Sequence, residues 1–208
     1  RALRANVITK SGKAVETAGD VDTLLLDKTG TITIGNRKAT AFYPAEGVDK
    51  AEFEQACLLS SIADDTPEGK SIVELGRNDG FKMRALHTEG AHMIKFTAET
   101  KSSGIVLKDS TEIRKGAFET MRHITEEAGY TFPEHISCLV TAITGNGGTP
   151  LVVTVNKKVV GVIELQDIIK QGIRERFERL HKMGVKTVMV TGDNPLTAKY
   201  IAEKGWRG

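Results

Sequence analysis

The sequence is poor in the features that most quickly assign a chain to a class. It has only two cysteines, Cys57 and Cys138, far apart and without a second Cys or a His at metal-ligand spacing. A disulfide framework or a zinc site is therefore not indicated, and both thiols are expected to be reduced packing residues on helices. No apolar run approaches the roughly 18 residues needed to cross a bilayer, and the first residues show no signal-peptide pattern. The chain is accordingly expected to be soluble and cytosolic. An excess of one charge is lacking too: 29 Lys and Arg stand against 27 Asp and Glu, a net +2. That balance is too even to imply nucleic acid or a membrane surface as a partner. There is no internal repeat and no low-complexity tract. What remains is a chain of 208 residues, 39% apolar and 27% charged, enough for one large or two small globular domains.

Two segments read as parts of a doubly wound α/β fold. Val21 to Leu26 is a short apolar run that ends in Asp27 and a Gly-Thr-rich turn, the pattern of a buried parallel strand with a functional loop at its C-terminal end. Near the other end, Ile169, Ile173, Phe177 and Leu180 form a helical stripe stopped by Gly184. Val185 to Val190 then reads as a strand running into Thr191-Gly192-Asp193, followed by a helix opened by Asn194-Pro195 and closed by Gly205. Between these units the pattern changes. Asp49 to Ile62 reads as a capped helix, and Thr66-Pro67-Glu68 opens another. Two hairpins follow, one turning at Lys108-Asp109-Ser110 and one at Asn156-Lys157-Lys158. The expectation is an inserted α+β domain on an antiparallel sheet, spanning 35–167, with 1–34 and 168–208 forming the α/β part.

Asp27 is the residue with chemistry attached. A carboxylate at the C-terminal end of a parallel strand sits where α/β sheets place ligands, and the following turn can aim backbone N–H groups at an anion. Such an Asp can attack a phosphoryl group and form an aspartyl-phosphate, dividing one difficult displacement into two easier ones. Lys28 adds positive charge, Gly30 permits a tight turn, and the Thr29 and Thr31 hydroxyls offer hydrogen bonds to phosphate oxygens. The bland alternative is a solvated Asp-Lys pair at an ordinary strand end.

DKTGTIT resembles the phosphorylation signature of the P-type ATPases, within the haloacid-dehalogenase superfamily. The resemblance runs along the whole chain. SGKAVETAGDVDTLLLDKTGTITIGNR, TPEGKSI, KFTAET, IRKGA and the stretch from VVGVIELQD to VMVTGDNPLTA are all similar to the ATP-hydrolysing subunit of Kdp-type potassium-uptake ATPases. Copper- and zinc-type pumps usually carry His-Pro where this chain has Thr66-Pro67. The implied fold is a partial doubly wound phosphorylation domain with an inserted nucleotide-binding domain.

The resemblance also implies roles, and ATP and Mg²⁺ as cofactors. Asp27 would take the phosphate, and Asp27 with the Thr29 carbonyl would hold Mg²⁺. Thr191 and Gly192 would bind phosphoryl oxygens, with Asp193 near the phosphates and ribose. Phe96 would stack on adenine and Lys115 would line the same pocket, with Glu68, Ser103, Gly104 and Gly116 around it. Taken alone, Phe96 reads as a strand core residue and Lys115 as a solvated strand end. Asp167 resembles the hinge aspartate between the two domains, and it could equally cap a helix starting at Ile168.

The conserved lysine and the Gly-Asp-Gly-x-Asn-Asp segment of a full phosphorylation domain do not occur in these residues, so the stretch by itself is expected to bind nucleotide without sustaining the cycle. An incomplete sheet should leave apolar surface exposed. In the parent protein, the partners implied are ATP and ADP, the other pump domains and the further subunits of a potassium-uptake complex at the cytoplasmic face of the plasma membrane. The competing readings are a soluble phosphatase of the same superfamily and a fragment of a heavy-metal pump. The phosphatases usually carry a general-acid Asp two residues after the nucleophile, and here that residue is Thr29.

Overall fold

A computed structural model of the chain describes residues 8, 10–62, 64–82, 86–97 and 99–190. They form two sheets with separate cores. The smaller pairs β1 (Thr23–Asp27) with β8 (Lys186–Val190) in parallel, Leu25 opposite Val188 and Asp27 opposite Val190. Successive residues of a strand point to opposite faces, and here one face is covered by α6 (Ile173–Lys182). Leu26 and Met189 pack there against Ile32, Ile173 and Phe177. The other face carries Leu25, 67% exposed, with Val188 and Val190 also at the surface. Parallel strands are ordinarily covered on both faces, and among the described residues only one face of this pair is covered. Before β1, Ser11 caps α1 (Gly12–Gly19), a surface helix with no buried residue.

The larger sheet is antiparallel throughout, in the order β2-β7-β6-β5-β4-β3. Its strands are β2 (Thr33–Pro44), β3 (His92–Ile94), β4 (Ser102–Val106), β5 (Glu112–Gly116), β6 (Thr149–Val155) and β7 (Lys158–Ile169). One face is covered by α2 (Lys50–Leu59) and α3 (Pro67–Asn78), the other by α4 (Phe118–Glu127) and α5 (Glu134–Gly145). The period of two sorts the core cleanly between them. Val153 and Ile163 join Phe53, Cys57 and Ile72 on the first face, whereas their neighbours Val152 and Val162 join Met121, Ile136 and Val140 on the second. Both strand faces are apolar because both are covered.

The local signals are ordinary. Asp49 caps α2 and Thr66 caps α3 through its hydroxyl, with Pro67 in the first turn. The β6–β7 hairpin turns on two residues, Asn156 and Lys157, both in the left-handed region that such turns require. The Asn156 side chain also accepts from the Glu112 N–H at 2.9 Å, tying the hairpin to β5.

β2 is a twelve-residue strand that pairs along β7 from Thr33 opposite Ile169 to Pro44 opposite Gly161, with a register shift between Thr33 and Arg37. Two expectations change. Ile169 belongs to β7 and not to the helix after it. Gly172, in the left-handed region, breaks the chain before α6 begins, and Ile169 still packs on the same core as Ile173 and Phe177. Asp167 therefore lies within β7 and caps no helix. The expected helix beyond Asn194 lies outside the described residues.

Gly161 marks the tightest packing of β7. A Cβ there would press into the Tyr43 carbonyl oxygen and stand 2.6 Å from the Phe53 ring. Gly161→Ala is expected to cost about 2 kcal/mol by overpacking. The check is a lower denaturation midpoint at unchanged slope; an unchanged midpoint would mean that the sheet and α2 separate freely here.

Candidate functional site

Two places in the fold gather polar groups. The first follows β1. Asp27 is the last residue of the strand, with its side chain exposed. The chain then turns sharply through residues 28–32, with Gly30 at φ 77°, a conformation that a residue with a Cβ adopts only under strain. That turn is fastened to the end of β7. Lys28, 3% exposed, donates to Asp167 Oδ2 at 3.1 Å. The Lys170 N–H donates to the Ile32 carbonyl at 3.0 Å, and the Lys170 ammonium donates to the Gly30 carbonyl. The Lys28 ammonium is thus held within this fastening. A buried ammonium requires an anion, and Asp167 supplies one.

The second place is a cleft of about 670 Å³ on the larger sheet. Its walls are the Gly35-Asn36-Arg37 segment of β2, the start of α3, the adjoining ends of β4 and β5, the start of β6 and Phe96. Phe96 is 62% exposed and Lys115 is 3% exposed. That is the reverse of their bland readings, since an aromatic ring ordinarily goes inside and a lysine outside. Alternation explains the lysine. Ile113 lies in the core beneath α2 and α3, and Lys115, two residues on, faces the same side. Its ammonium donates to Asp64 Oδ2 at 2.6 Å and to Ser61 Oγ at 2.9 Å, both just after α2.

Burial pulls the Lys115 pKa below its ordinary value, and the hydrogen bond and charge of Asp64 oppose that pull. For Asp64, burial alone would raise the pKa, but hydrogen bonds from Lys115 and Thr66 outweigh it and hold the carboxyl below its usual range. Each group of the pair thus favours the charged form of the other, and burial opposes both. At the cleft rim, Arg37 lies 3.6 Å from Glu68 and 4.0 Å from Asp167. Asp167, which lines no part of the cleft, is shared between Arg37 and Lys28, so a continuous row of charges joins the cleft to the turn after Asp27.

Of the residues proposed from sequence, Phe96, Lys115, Glu68, Ser103 and Gly116 line one cleft. Gly104 does not: it pairs with Arg114 inside the sheet, where any side chain would collide with the Ile113 carbonyl. Asp27, Lys28 and Thr29 form the turn at the other place. Thr191, Gly192 and Asp193 lie outside the described residues. Sequence reasoning missed Arg37, Asp64, Thr66 and Lys101 in the cleft wall. Thr66 was read only as a helix start, and nothing local to Asp64 signals its partner on a distant strand. Among the described residues, no group of three or more His, Cys, Asp or Glu could hold a metal, and no helix is long and apolar enough to cross a membrane.

A carboxylate at the open end of a parallel strand, beside an inserted antiparallel sheet, defines the class. The chain belongs to the haloacid dehalogenase-like hydrolases, whose family model matches residues 21–207. Over nearly all of its length its sequence is similar to potassium-transporting ATPase ATP-binding subunits. The potassium-transporting ATPase ATP-binding subunit of Deinococcus radiodurans is 56% identical over 204 residues, covering 98% of this chain and 30% of that protein. The subunit of the same name from Caldanaerobacter subterraneus subsp. tengcongensis is 52% identical over 204 residues, with 98% and 30% coverage. The chain therefore spans 30% of the length of these relatives. The crystal structure of a zinc-transporting PIB-type ATPase shares the fold at a TM-score of 0.71 and 24% identity, over 93% of this chain and 29% of its own.

The fastening of the turn gives a test. Asp167→Ala is expected to cost about 2 kcal/mol of stability by removing a carboxylate that the buried Lys28 hydrogen-bonds. Asp167→Ala combined with Lys28→Met should recover most of that loss in chemical denaturation; equal losses in both would show that the pair does not matter.

Proposed function

We propose that this chain is the nucleotide-binding and phosphorylation region of a potassium-transporting P-type ATPase. ATP lies in the cleft with its adenine against Phe96 and Lys115, and Asp27 accepts the γ-phosphoryl group. The observation that carries the reading is the inversion at the cleft, an exposed aromatic ring facing a buried, ion-paired lysine. Neither residue sits where folding alone would put it, and a planar heterocycle stacked on one and hydrogen-bonded by the other accounts for both. Arg37 on the rim supplies positive charge for the phosphates. Residues 35–167 would then form the nucleotide domain, with 1–34 and 168–208 as the phosphorylation part.

In the transfer, an Asp27 carboxylate oxygen attacks the γ-phosphorus, the bond to the bridging oxygen breaks, and ADP leaves. Lys28 and Lys170 hold the turn so that the carboxylate need not be ordered at the moment of reaction. Thr29 offers no general acid of the kind a carboxyl would supply, which favours a phosphoenzyme that persists over one that hydrolyses at once. For Mg²⁺, the fitting donors are the exposed Asp27 carboxylate and the Thr29 carbonyl, and the ion would neutralise phosphate charge there. Two protein oxygens suit a metal that keeps waters and arrives with phosphates. Transport and steady hydrolysis are assigned to the longer polypeptide that the relatives represent, and potassium as the ion rests on their names.

Incubation with radiolabelled ATP should place a hydroxylamine-sensitive phosphate on the full-length protein, and Asp27→Asn should abolish it while leaving nucleotide binding intact. Label that survives the substitution would remove Asp27 from the reaction. Phe96→Ala should weaken ATP binding about tenfold by calorimetry, with the melting temperature unchanged. Undiminished affinity would move the adenine elsewhere.

A further inference from the structure

We infer that Asp64 and Ser61 are positioning residues of the cleft, acting through Lys115: they occupy two of its three N–H groups and leave the third for the purine ring of a bound nucleotide. This rests on the nucleotide reading above and goes beyond it in assigning how the lysine is made a donor of fixed direction. A lysine side chain has four rotatable bonds and a compact, strongly hydrated charge, so without partners it would turn outward to water. Here it is held at two points, 2.6 Å from Asp64 Oδ2 and 2.9 Å from Ser61 Oγ.

Asp64 is itself fixed. Its second oxygen accepts from the Thr66 N–H at 3.0 Å and from the Thr66 hydroxyl at 2.6 Å. The same hydroxyl accepts from the Gly69 N–H at 3.1 Å, which caps α3. Gly69 lies so close to Asp64 that any side chain there would collide with it. The start of α3 thus sets the carboxylate, and the carboxylate sets the ammonium. The other groups facing that ammonium are Glu68 from α3 and Cys57 from α2, a thiol that burial keeps protonated. Asp64 is the only carboxylate among them in direct contact with it. By offsetting the lysine's charge, Asp64 also makes Lys115 a donor to a neutral ring and a poor anchor for a triphosphate. The nucleotide is thereby kept from binding with its phosphates at the base end.

Asp64→Asn keeps an acceptor for Thr66 and removes the charge. The Lys115 pKa, already lowered by burial, should then fall further, so the ammonium is lost as pH rises through a range where the unaltered protein keeps it. ADP binding to the chain is measured by calorimetry for the unaltered protein, Asp64→Asn, Lys115→Met and the double variant, from about pH 6.5 to about pH 9. Asp64→Asn should bind about tenfold more weakly at neutral pH, and its binding should decline toward the alkaline end at a lower pH than that of the unaltered protein. The double variant should bind no more weakly than Lys115→Met alone. Ser61→Ala, which leaves the α3 cap untouched, should cost about threefold. Losses that add in the double variant, or an Asp64→Asn protein that binds like the unaltered one, would overturn the inference. An unaltered chain that does not bind ADP would instead overturn the nucleotide reading on which it stands.

Discussion

The ion pair between Lys28 and Asp167, 3.1 Å long and nearly closed to water, is the contact on which the rest of the site depends. It joins the turn after Asp27 to the last residues of β7, so the Asp27 end of the small parallel sheet is fixed to the strand by which the chain leaves the large one. Buried pairs contribute little net stability, because desolvation consumes most of the attraction. Their effect is on arrangement: with one partner misplaced, the other loses a counter-charge in the interior. β2 and β7, paired from Thr33 and Ile169 onward, carry both chain crossings between the sheets. The pair at their root therefore limits how the cleft and Asp27 can be set against each other.

The cleft itself is built by α3 as much as by the sheet. Thr66 caps the helix and hydrogen-bonds Asp64, and Ser71, one turn into the helix, accepts from the Ala39 N–H at 2.9 Å where β2 shifts its register against β7. An N–H freed by that irregularity is thus paired by the helix that covers it. Helix start, strand and buried lysine form one connected polar structure, and a change at any of them is felt at the others.

Much of this was legible in the sequence. The run before Asp27, the caps at Asp49 and Thr66, and the turn at Asn156-Lys157 each carry a local signal with a physical cause, and each formed the expected element. β2 was not legible: its pairing with the distant β7 shifts register between Thr33 and Arg37 and is set by the fold. Ile169 matched a helical stripe because a strand residue and a helix residue can reach the same small core. In the site, Asp27 could be read from its own neighbours, whereas Phe96 and Lys115 came from resemblance, since burial is not written in a lone aromatic or a lone lysine. Asp64 could not be found at all: its meaning comes from a lysine 51 residues on, reached only through the fold. The pairing of Lys28 with Asp167 was hidden for the same reason, because the two are distant in sequence.

The central claim is that the cleft between α3, β5 and Phe96 holds the nucleotide. The most direct measurement is a titration of the isotopically labelled chain with a non-hydrolysable ATP analogue, following its backbone amides by NMR. The account predicts saturable shifts at Phe96, Ser103, Lys115, Gly116 and the start of α3, with the amides of α4 and α5 on the opposite face of the sheet unmoved. Shifts centred on α4 and α5, or none near Phe96 and Lys115, would contradict it.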